Sequence, residues 1–197
     1  MTPVDLGPAA RRMTELVAGV PDDLLGTPTP CPEYTLGDLV EHVGGLAMAV
    51  TAAATKTLGG TSAEAPSSDA SRLGDDWRSR IPQDLAALGE AWRDPAAWTG
   101  MTRAGGVDLP GEVAGLVALD ELVVHGWDVA VASGQPYECD PALLEAVHGF
   151  VAQFSGPGQE EARAGLFGPE IDVAEDAPLL DRVLGMAGRD PAWSPPI

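Results

Sequence analysis

The segment that decides the fold is VAGLVALDELVVHGWDVAVA, from Val113 to Ala132, an apolar run that also contains four ionisable side chains. Those side chains are Asp120, Glu121, His125 and Asp128. Burying an unpaired carboxylate costs several kcal/mol, which is a large share of the stability of a whole domain. The sequence therefore predicts a helix that is buried around most of its circumference, and groups nearby that hold these charges.

Apolar periodicity and helix-breaking residues predict further helices on both sides of this segment. The predicted helices cover residues 7–19, the stretch that follows Thr35, and residues 73–93, 111–133 and 141–154, with one short helix near residues 177–187. Residues 94–110 are predicted to form a loop or a short extended element, and residues 59–71 a flexible surface loop. Four or five antiparallel helices indicate an all-α bundle, and we interpret residues 1–197 as one domain.

Local signals predict where two of these helices begin. Thr35 is the predicted N-cap of the second helix, and Asp38 at the third helical position makes a variant of the capping box. Asp140 caps the fifth helix, with Pro141 in its first turn. The apolar stripe of the second helix consists of Leu36, Leu39, Val40, Val43, Leu46, Ala47 and Val50.

Composition and charge exclude several classes of protein. A formal net charge of −19 repels phosphate backbones and anionic lipids, so we expect neither nucleic-acid binding nor membrane binding. The N-terminus lacks the basic and apolar regions of a signal peptide, and the longest apolar run contains charges. Cys31 and Cys139 are too far apart in sequence to suggest a disulfide framework. We expect a soluble, cytoplasmic protein that acts on a small molecule.

Glu121 and His125 lie four positions apart and share one face of the predicted helix, with Asp128 near the same line. A carboxylate and an imidazole at this spacing form half of a site for Zn²⁺, Ni²⁺ or Fe²⁺. His42, at the edge of the second helix's apolar stripe, is the candidate third ligand. The chain contains three histidines, and His148 has no acidic or histidine partner at helical spacing.

Each of these residues also has a purely structural interpretation. Glu121 and His125 would be an ordinary charge pair of the i,i+4 type. His42 would be a capping or core histidine. Asp128 would either orient a ligand histidine or pair with an arginine. A reactive thiol at Cys31 is disfavoured because no basic residue stands near it in the sequence.

Three blocks of the chain resemble a known family. They are PTPCPEYTLGDLVEHVGG (28–45), ELVVHGWDVAVASGQP (121–136) and PLLDRVLGMAGRDPAW (178–193). These blocks are similar to actinobacterial metal-binding proteins related to the N-terminal domain of mycothiol-dependent maleylpyruvate isomerase, within the DinB/YfiT-like superfamily. The resemblance implies a DinB-like four-helix bundle with a short C-terminal helical tail.

The resemblance also implies a metal site. A divalent metal, commonly zinc, would be held by His42, Glu121 and His125, with Asp128 as a candidate support behind them. A site with three protein ligands and an open position is of the catalytic kind. In the superfamily, the metal is thought to activate a low-molecular-weight thiol, mycothiol in actinobacteria, so that the thiolate attacks an electrophile. The sequence identifies no general base.

The chain departs from the isomerase in one respect. The isomerase carries a second, C-terminal domain that contributes to its active site, whereas only a short tail follows the fifth predicted helix here. Maleylpyruvate isomerisation itself is therefore not expected. Arg103, in the loop before the fourth helix, is a candidate for binding a dicarboxylate, and a solvated loop charge is the alternative.

The expected function is that of a metal-dependent, mycothiol-using S-transferase or isomerase acting on a small electrophilic metabolite. One alternative is a metal-dependent hydrolase or cyclase of secondary metabolism that uses no thiol. The other is a non-catalytic metal-binding protein, because a fold does not fix a function. The absence of a cavity above the metal would favour this last alternative. The sequence also allows a homodimer, because helical bundles with an exposed apolar face often associate.

Overall fold

Four long helices carry most of the buried apolar side chains in the computed structural model, which describes residues 3–57 and 67–196. In chain order these helices are α1 (Gly7–Ala18), α2 (Leu36–Thr55), α3 (Trp77–Ala91) and α4 (Gly111–Ala132). A β-hairpin of β1 (Met101–Ala104) and β2 (Val107–Pro110) precedes α4. The remaining helices are α5 (Pro141–Val151), α6 (Glu160–Arg163) and α7 (Leu179–Met186).

The pairing of the long helices defines the bundle. Helices α1 and α2 each pack against both α3 and α4, so the order around the bundle is α1, α3, α2, α4. Helix α5 packs on α4, and α7 packs on α5 as a C-terminal tail. The predicted all-α bundle with a short C-terminal helical tail is thus confirmed. One apolar core runs from α1 to α7, although the interpretation of residues 1–197 as a single domain stays a prediction.

Helix α4 is buried along most of its length, as its apolar sequence predicts. Its neighbours α1, α2 and α5 cover it from several sides. Among the described residues, no helix combines the length and the apolar character that a membrane crossing requires. Of the ionisable side chains of α4, Asp120, His125 and Asp128 are buried and Glu121 is partly buried, whereas Glu112 in the first turn is exposed.

The predicted start of α2 is confirmed. The hydroxyl of Thr35 accepts a hydrogen bond from the backbone N–H of Asp38 at 3.2 Å, and the Asp38 carboxylate accepts one from the N–H of Thr35 at 2.9 Å. Asp38 also accepts the N–H of Ala70 at 2.8 Å, which ties α2 to a short 3₁₀ turn at Ala70–Arg72. Because the start of α2 is fixed, His42 lies two turns into the helix.

Three predicted elements differ in detail. Helix α3 begins at Trp77 and not at residue 73, because Gly74 has a φ of +72° that an α-helix does not accommodate. The loop predicted over residues 59–71 lies partly outside the described residues, and its last two residues belong to the 3₁₀ turn. Residues 94–110 contain the extended element, whose strands meet at Gly105 and Gly106 with φ of 56° and 80°, as a type I′ turn requires.

Replacing Thr35 by alanine removes half of the capping box. We expect Thr35→Ala to lower the free energy of unfolding by about 1 kcal/mol, because the N–H of Asp38 loses its acceptor. Urea denaturation followed by circular dichroism measures this. Thr55→Ala, in the exposed last turn of the same helix, is the matched control and should change stability little. Equal losses in the two variants would contradict the assigned cap.

The contribution of Asp38 depends on pH. Burial alone would raise the pKa of Asp38, but hydrogen bonds from Thr35 and Ala70 hold it below its usual value. A carboxylate with a lowered pKa stabilises the folded state above the unfolded pKa of about 3.9, and this contribution is lost as the pH falls through the folded pKa. The stability difference between the parent and Asp38→Asn should therefore shrink between pH 6 and pH 3. A difference independent of pH would refute this account.

Candidate metal centre

The three predicted ligands converge between α2 and α4. His42 comes from α2, and Glu121 and His125 lie one turn apart on α4. Nε2 of His42 lies 3.3 Å from Oε2 of Glu121, and Nε2 of His125 lies 3.2 Å from the same oxygen. The ligand atoms of the three residues all lie within 4.8 Å of one another. The fold thus assembles the residues that sequence spacing alone only suggested.

This arrangement fits a divalent ion. Ligand atoms that are about 2.0–2.1 Å from a tetrahedral Zn²⁺ ion lie about 3.3–3.4 Å apart, close to the two distances observed here. Two imidazoles and one carboxylate also form a donor set of catalytic zinc sites. The same distances suit a hydrogen-bonded charge cluster, so metal binding by these residues stays a prediction.

A buried carboxylate holds one of the candidate ligands in place. Nδ1 of His125 donates to Oδ2 of Asp128 at 2.9 Å, and Asp128 is fully buried. The same oxygen accepts from Nη2 of Arg189 at 3.1 Å and from its Nε at 3.4 Å. Asp128 therefore orients a histidine and pairs with an arginine, the two roles that the sequence left open. The hydrogen bond from Nδ1 fixes the orientation of the His125 ring, and in this orientation Nε2 faces Glu121.

The second histidine has a different environment. His42 directs Nε2 at Glu121, while its Nδ1 is buried and has no hydrogen-bond partner among the described residues. The ring of Tyr34 lies beside it, with the centroids 5.6 Å apart, and also 6.4 Å from the ring of His125. His42 is thus positioned by its hydrogen bond to Glu121 and by packing against Tyr34, and no carboxylate contacts its Nδ1 among the described residues.

The electrostatics of this cluster explain how α4 accommodates its charges. Burial opposes ionisation of Glu121, but hydrogen bonds from His125 and His42 hold its pKa well below the usual value. Burial also disfavours a charged His125, yet hydrogen bonds to Asp128 and Glu121 raise its pKa to about 9. Burial, and then the charge of Glu121, raise the pKa of Asp120 to about 8. Asp120 is therefore neutral at pH 7, and the ionised carboxylates have cationic partners.

The local fold of the HGWD segment also serves this geometry. Tyr137, which follows α4, donates a hydrogen bond to the carbonyl of Val123 at 2.8 Å. A Cβ atom on Gly126 would lie 3.1 Å from the Tyr137 ring, closer than nearly all real contacts. Glycine at position 126 thus leaves room for the Tyr137 ring to pack against α4.

An open cavity of about 520 Å³ lies above the three candidate ligands. One wall is the proline-rich loop before α2, which contributes residues 31–34, including Cys31 and Tyr34. Residues 165–169 and Gly188 and Arg189 of the tail line the cavity as well. A substrate entering this cavity would meet the metal centre at its base.

The sequence analysis missed the contribution of the tail. Arg189 lies within a block quoted for the family resemblance but received no role, because its partner Asp128 is 61 positions earlier. Buried Arg163 holds the wall in shape by donating to the carbonyls of Phe154, Gly168 and Met186.

The fold also changes the interpretation of Cys31. Its sequence neighbours include no basic residue, yet Arg189 lies close enough to lower the pKa of its thiol. Burial outweighs this effect, so the pKa of Cys31 is raised and the thiol form prevails at neutral pH. Both Cys31 and Cys139 are free cysteines.

Two other residues lie away from the centre. Arg103 forms two hydrogen bonds of 2.8 Å with Asp108 across the β-hairpin and does not line the cavity. This position agrees with the interpretation of Arg103 as a solvated loop charge and not with a role in binding a dicarboxylate. His148 lines a separate cavity near Glu170 and Arg182, which agrees with the sequence argument against it as a ligand.

Removing Arg189 should expose the dependence of Asp128 on its partner. We expect Arg189→Met to lower the free energy of unfolding by about 3–5 kcal/mol, because a buried carboxylate loses its cation. Chemical denaturation measures this loss. The double variant Asp128→Asn/Arg189→Met should recover most of it, because neither charge remains. Arg103→Met, at the exposed pair, is the control and should change little. Simple addition of the two single losses in the double variant would contradict the assigned pair.

Comparison with known proteins places the fold and the site in a family. The family described as the mycothiol maleylpyruvate isomerase N-terminal domain matches residues 6–130, which include all three candidate ligands. The chain is 31% identical over 180 residues to an uncharacterized protein of Mycobacterium tuberculosis strain CDC 1551, covering 88% of this chain and 90% of that protein. A protein of strain H37Rv matches to the same extent.

Solved structures show the same fold. The crystal structure of the mycothiol-dependent maleylpyruvate isomerase aligns with a TM-score of 0.56 at 18% identity, over 76% of this chain and 70% of that chain. A mutant of that isomerase, with a histidine replaced by alanine, gives a TM-score of 0.55 at 20% identity over the same shares. With the family match, these likenesses confirm the predicted resemblance. The chain belongs to the mycothiol maleylpyruvate isomerase N-terminal domain family.

Proposed function

We propose that this protein is a divalent-metal-dependent enzyme that uses mycothiol, either to transfer it to a small electrophilic metabolite or to isomerise that metabolite. The observation that carries the proposal is the convergence of His42, Glu121 and His125 at the base of an open cavity. Membership of the family supports a function related to mycothiol. The structural neighbour, by its title, is a mycothiol-dependent isomerase.

Zn²⁺ is the metal that best suits two imidazoles and one carboxylate, with Ni²⁺ and Fe²⁺ as alternatives. When bound, such an ion supplies Lewis acidity, which lowers the pKa of a coordinating thiol so that the thiolate prevails near neutral pH. Glu121 is the one anionic ligand, and its side chain is 27% exposed towards the cavity. A single carboxylate leaves part of the ion's positive charge to attract a thiolate.

The protein's own side chains organise the site around that thiol. Asp128 fixes the ring orientation of His125, and Arg189 balances the charge of Asp128. Mutating a residue that hydrogen-bonds to a metal ligand typically lowers metal affinity by about 10- to 100-fold. The rings of His42 and Tyr34 pack against each other, 5.6 Å apart between centroids, and both line the cavity.

The cavity favours an enzyme over a non-catalytic metal-binding protein. Its volume of about 520 Å³ lies in the range of small-molecule sites, about 300–1,000 Å³. A metal that only stabilises the fold needs no such space above it. The alternative of a thiol-independent hydrolase or cyclase would use the same cavity, so consumption of the thiol distinguishes the two.

Metal content tests the site. We expect near-stoichiometric metal in the parent protein, purified without a polyhistidine tag, and a severe loss in His42→Ala and His125→Ala, because each removes one of three ligands. Elemental mass spectrometry measures the metal, and circular dichroism checks that each variant stays helical. His148→Ala is the matched control and should keep its metal. Full metal retention in His42→Ala would remove that residue from the site.

Thiol consumption tests the chemistry. Metal-loaded protein should accelerate the loss of the free thiol of mycothiol in the presence of an electrophile or, for an isomerase, should require catalytic mycothiol for turnover. Metal-loaded protein that turns over a substrate equally well without mycothiol would favour the hydrolase or cyclase alternative. The His42→Ala variant supplies the background rate.

A further inference from the structure

The charges around the cavity are the starting point. Among the described residues that line it, Glu33 and Glu121 are acidic and Arg189 is the one arginine or lysine. Arg189 is 9% exposed, and its Nε and Nη2 donate to Asp128 while its Nη1 donates to the carbonyl of Ala187. The positive charge of Arg189 is therefore already balanced, and two further carboxylates face the cavity.

A second arginine behind the wall is equally committed. Arg163 is buried and donates to the carbonyls of Phe154, Gly168 and Met186 and to the carboxylate of Glu170. A ligand with two carboxylates would thus meet acidic side chains and cations that already have partners. Bringing an anion out of water without a free cation is costly, so the cavity disfavours a dicarboxylate.

The walls are suited to an apolar ligand. Phe167 packs against the rings of Phe150 and Phe154 at centroid distances of 6.5 and 5.7 Å, which fixes it in the wall. Leu166, at the same wall, is 52% exposed, so an apolar ligand would bury surface that now faces water. The ring of Tyr34 also lines the cavity. These side chains form an apolar surface that suits the uncharged, apolar part of a ligand.

The ligand set leads to the same conclusion. As ligands of a divalent ion, His42 and His125 would bind as neutral imidazoles, and together with the single negative charge of Glu121 they would offset half of its charge. A thiolate substrate would offset the other half. With the pair of Asp128 and Arg189 balanced, the second substrate would then meet a site of no net charge, apart from the nearby Glu33.

We infer that the electrophile is an uncharged small molecule with an apolar body, for which an α,β-unsaturated diester is a suitable probe. This inference rests on the proposed function. In the reaction with such a probe, the S–H bond of the thiol breaks and an S–C bond forms at one alkene carbon. The π electrons of the C=C bond move to the neighbouring carbon, which takes up the released proton. The addition is redox-neutral and needs no other reactant.

Binding is tested with saturated analogues that cannot react with a thiol. Dimethyl succinate and succinate differ in charge but share a carbon skeleton. We titrate each into the protein as purified, and into protein loaded with Zn²⁺ and mycothiol, and follow the backbone amides of residues 165–169 by NMR. The ester should bind roughly tenfold or more tightly than the dianion. Equal or tighter binding of succinate at these amides would overturn the inference, as would a failure of both ligands to bind.

Two exposed positions supply variants that should fold normally. Leu166→Ser should lower the affinity for dimethyl succinate several-fold and leave the affinity for succinate unchanged. Glu33→Arg should strengthen succinate binding, because it places a free cation at the rim. Glu145→Arg, an equal charge change at an exposed position of α5 that does not line the cavity, is the control for the protein's overall negative charge. If Glu33→Arg and Glu145→Arg raised the affinity for succinate equally, the charge of the cavity lining would not be what disfavours the dianion.

Turnover separates this inference from the proposed function. Metal-loaded protein with mycothiol is given dimethyl maleate or maleate, with the uncatalysed rates subtracted. Faster thiol loss with the diester supports both claims. Thiol loss that is faster with maleate overturns the inference and supports the proposed function. Selective binding of dimethyl succinate without enzymatic thiol loss from either probe supports the selectivity of the cavity and overturns the proposed function.

Discussion

The buried carboxylate of Asp128 is the interaction on which the site depends. One oxygen of this side chain accepts hydrogen bonds from both His125 and Arg189, so it joins a candidate metal ligand on α4 to the C-terminal tail. Without the arginine, a fully buried charge would lack its cation. Without the carboxylate, His125 would lose the partner that directs Nε2 at Glu121. The fold and the candidate site thus share the same ion pair.

This link gives the tail a part in function. The family match ends at residue 130, whereas the wall at residues 165–169 and Arg189 lie beyond it. The matched region supplies the three candidate ligands, and the tail supplies much of the surface that a second substrate would contact. A cavity wall that lies outside the matched region is a physical route by which members of one family would act on different small molecules.

Features encoded within a single helix were predictable from the sequence. The capping box of Thr35 and Asp38, the buried stripe of α2, and the shared face of Glu121 and His125 all follow from helical spacing. The sequence also proposed His42 as the third ligand, and the fold brings it to that position. The predicted start of α3 near residue 73 was wrong: the helix begins at Trp77, because the left-handed conformation of Gly74 overrides the apolar pattern.

The rest of the site depends on contacts between distant segments, which periodicity does not report. Arg189 acquires its role only when the tail folds back over α4. The packing of Tyr34 against both histidines requires the turn of the proline-rich loop before α2. Arg103 was a candidate cation with a solvated loop charge as the alternative, and the fold pairs it with Asp108 across the hairpin. Charged residues gain or lose functional meaning through these tertiary partners.

X-ray absorption at the zinc edge of the metal-loaded protein tests the central claim most directly. The account predicts nitrogen and oxygen ligands at about 2.0–2.2 Å from the zinc ion, and an imidazole signal that weakens in His42→Ala. It predicts one sulfur ligand at about 2.3 Å only after mycothiol is added. A sulfur ligand already present without the thiol, or a spectrum unchanged in His42→Ala, would contradict it.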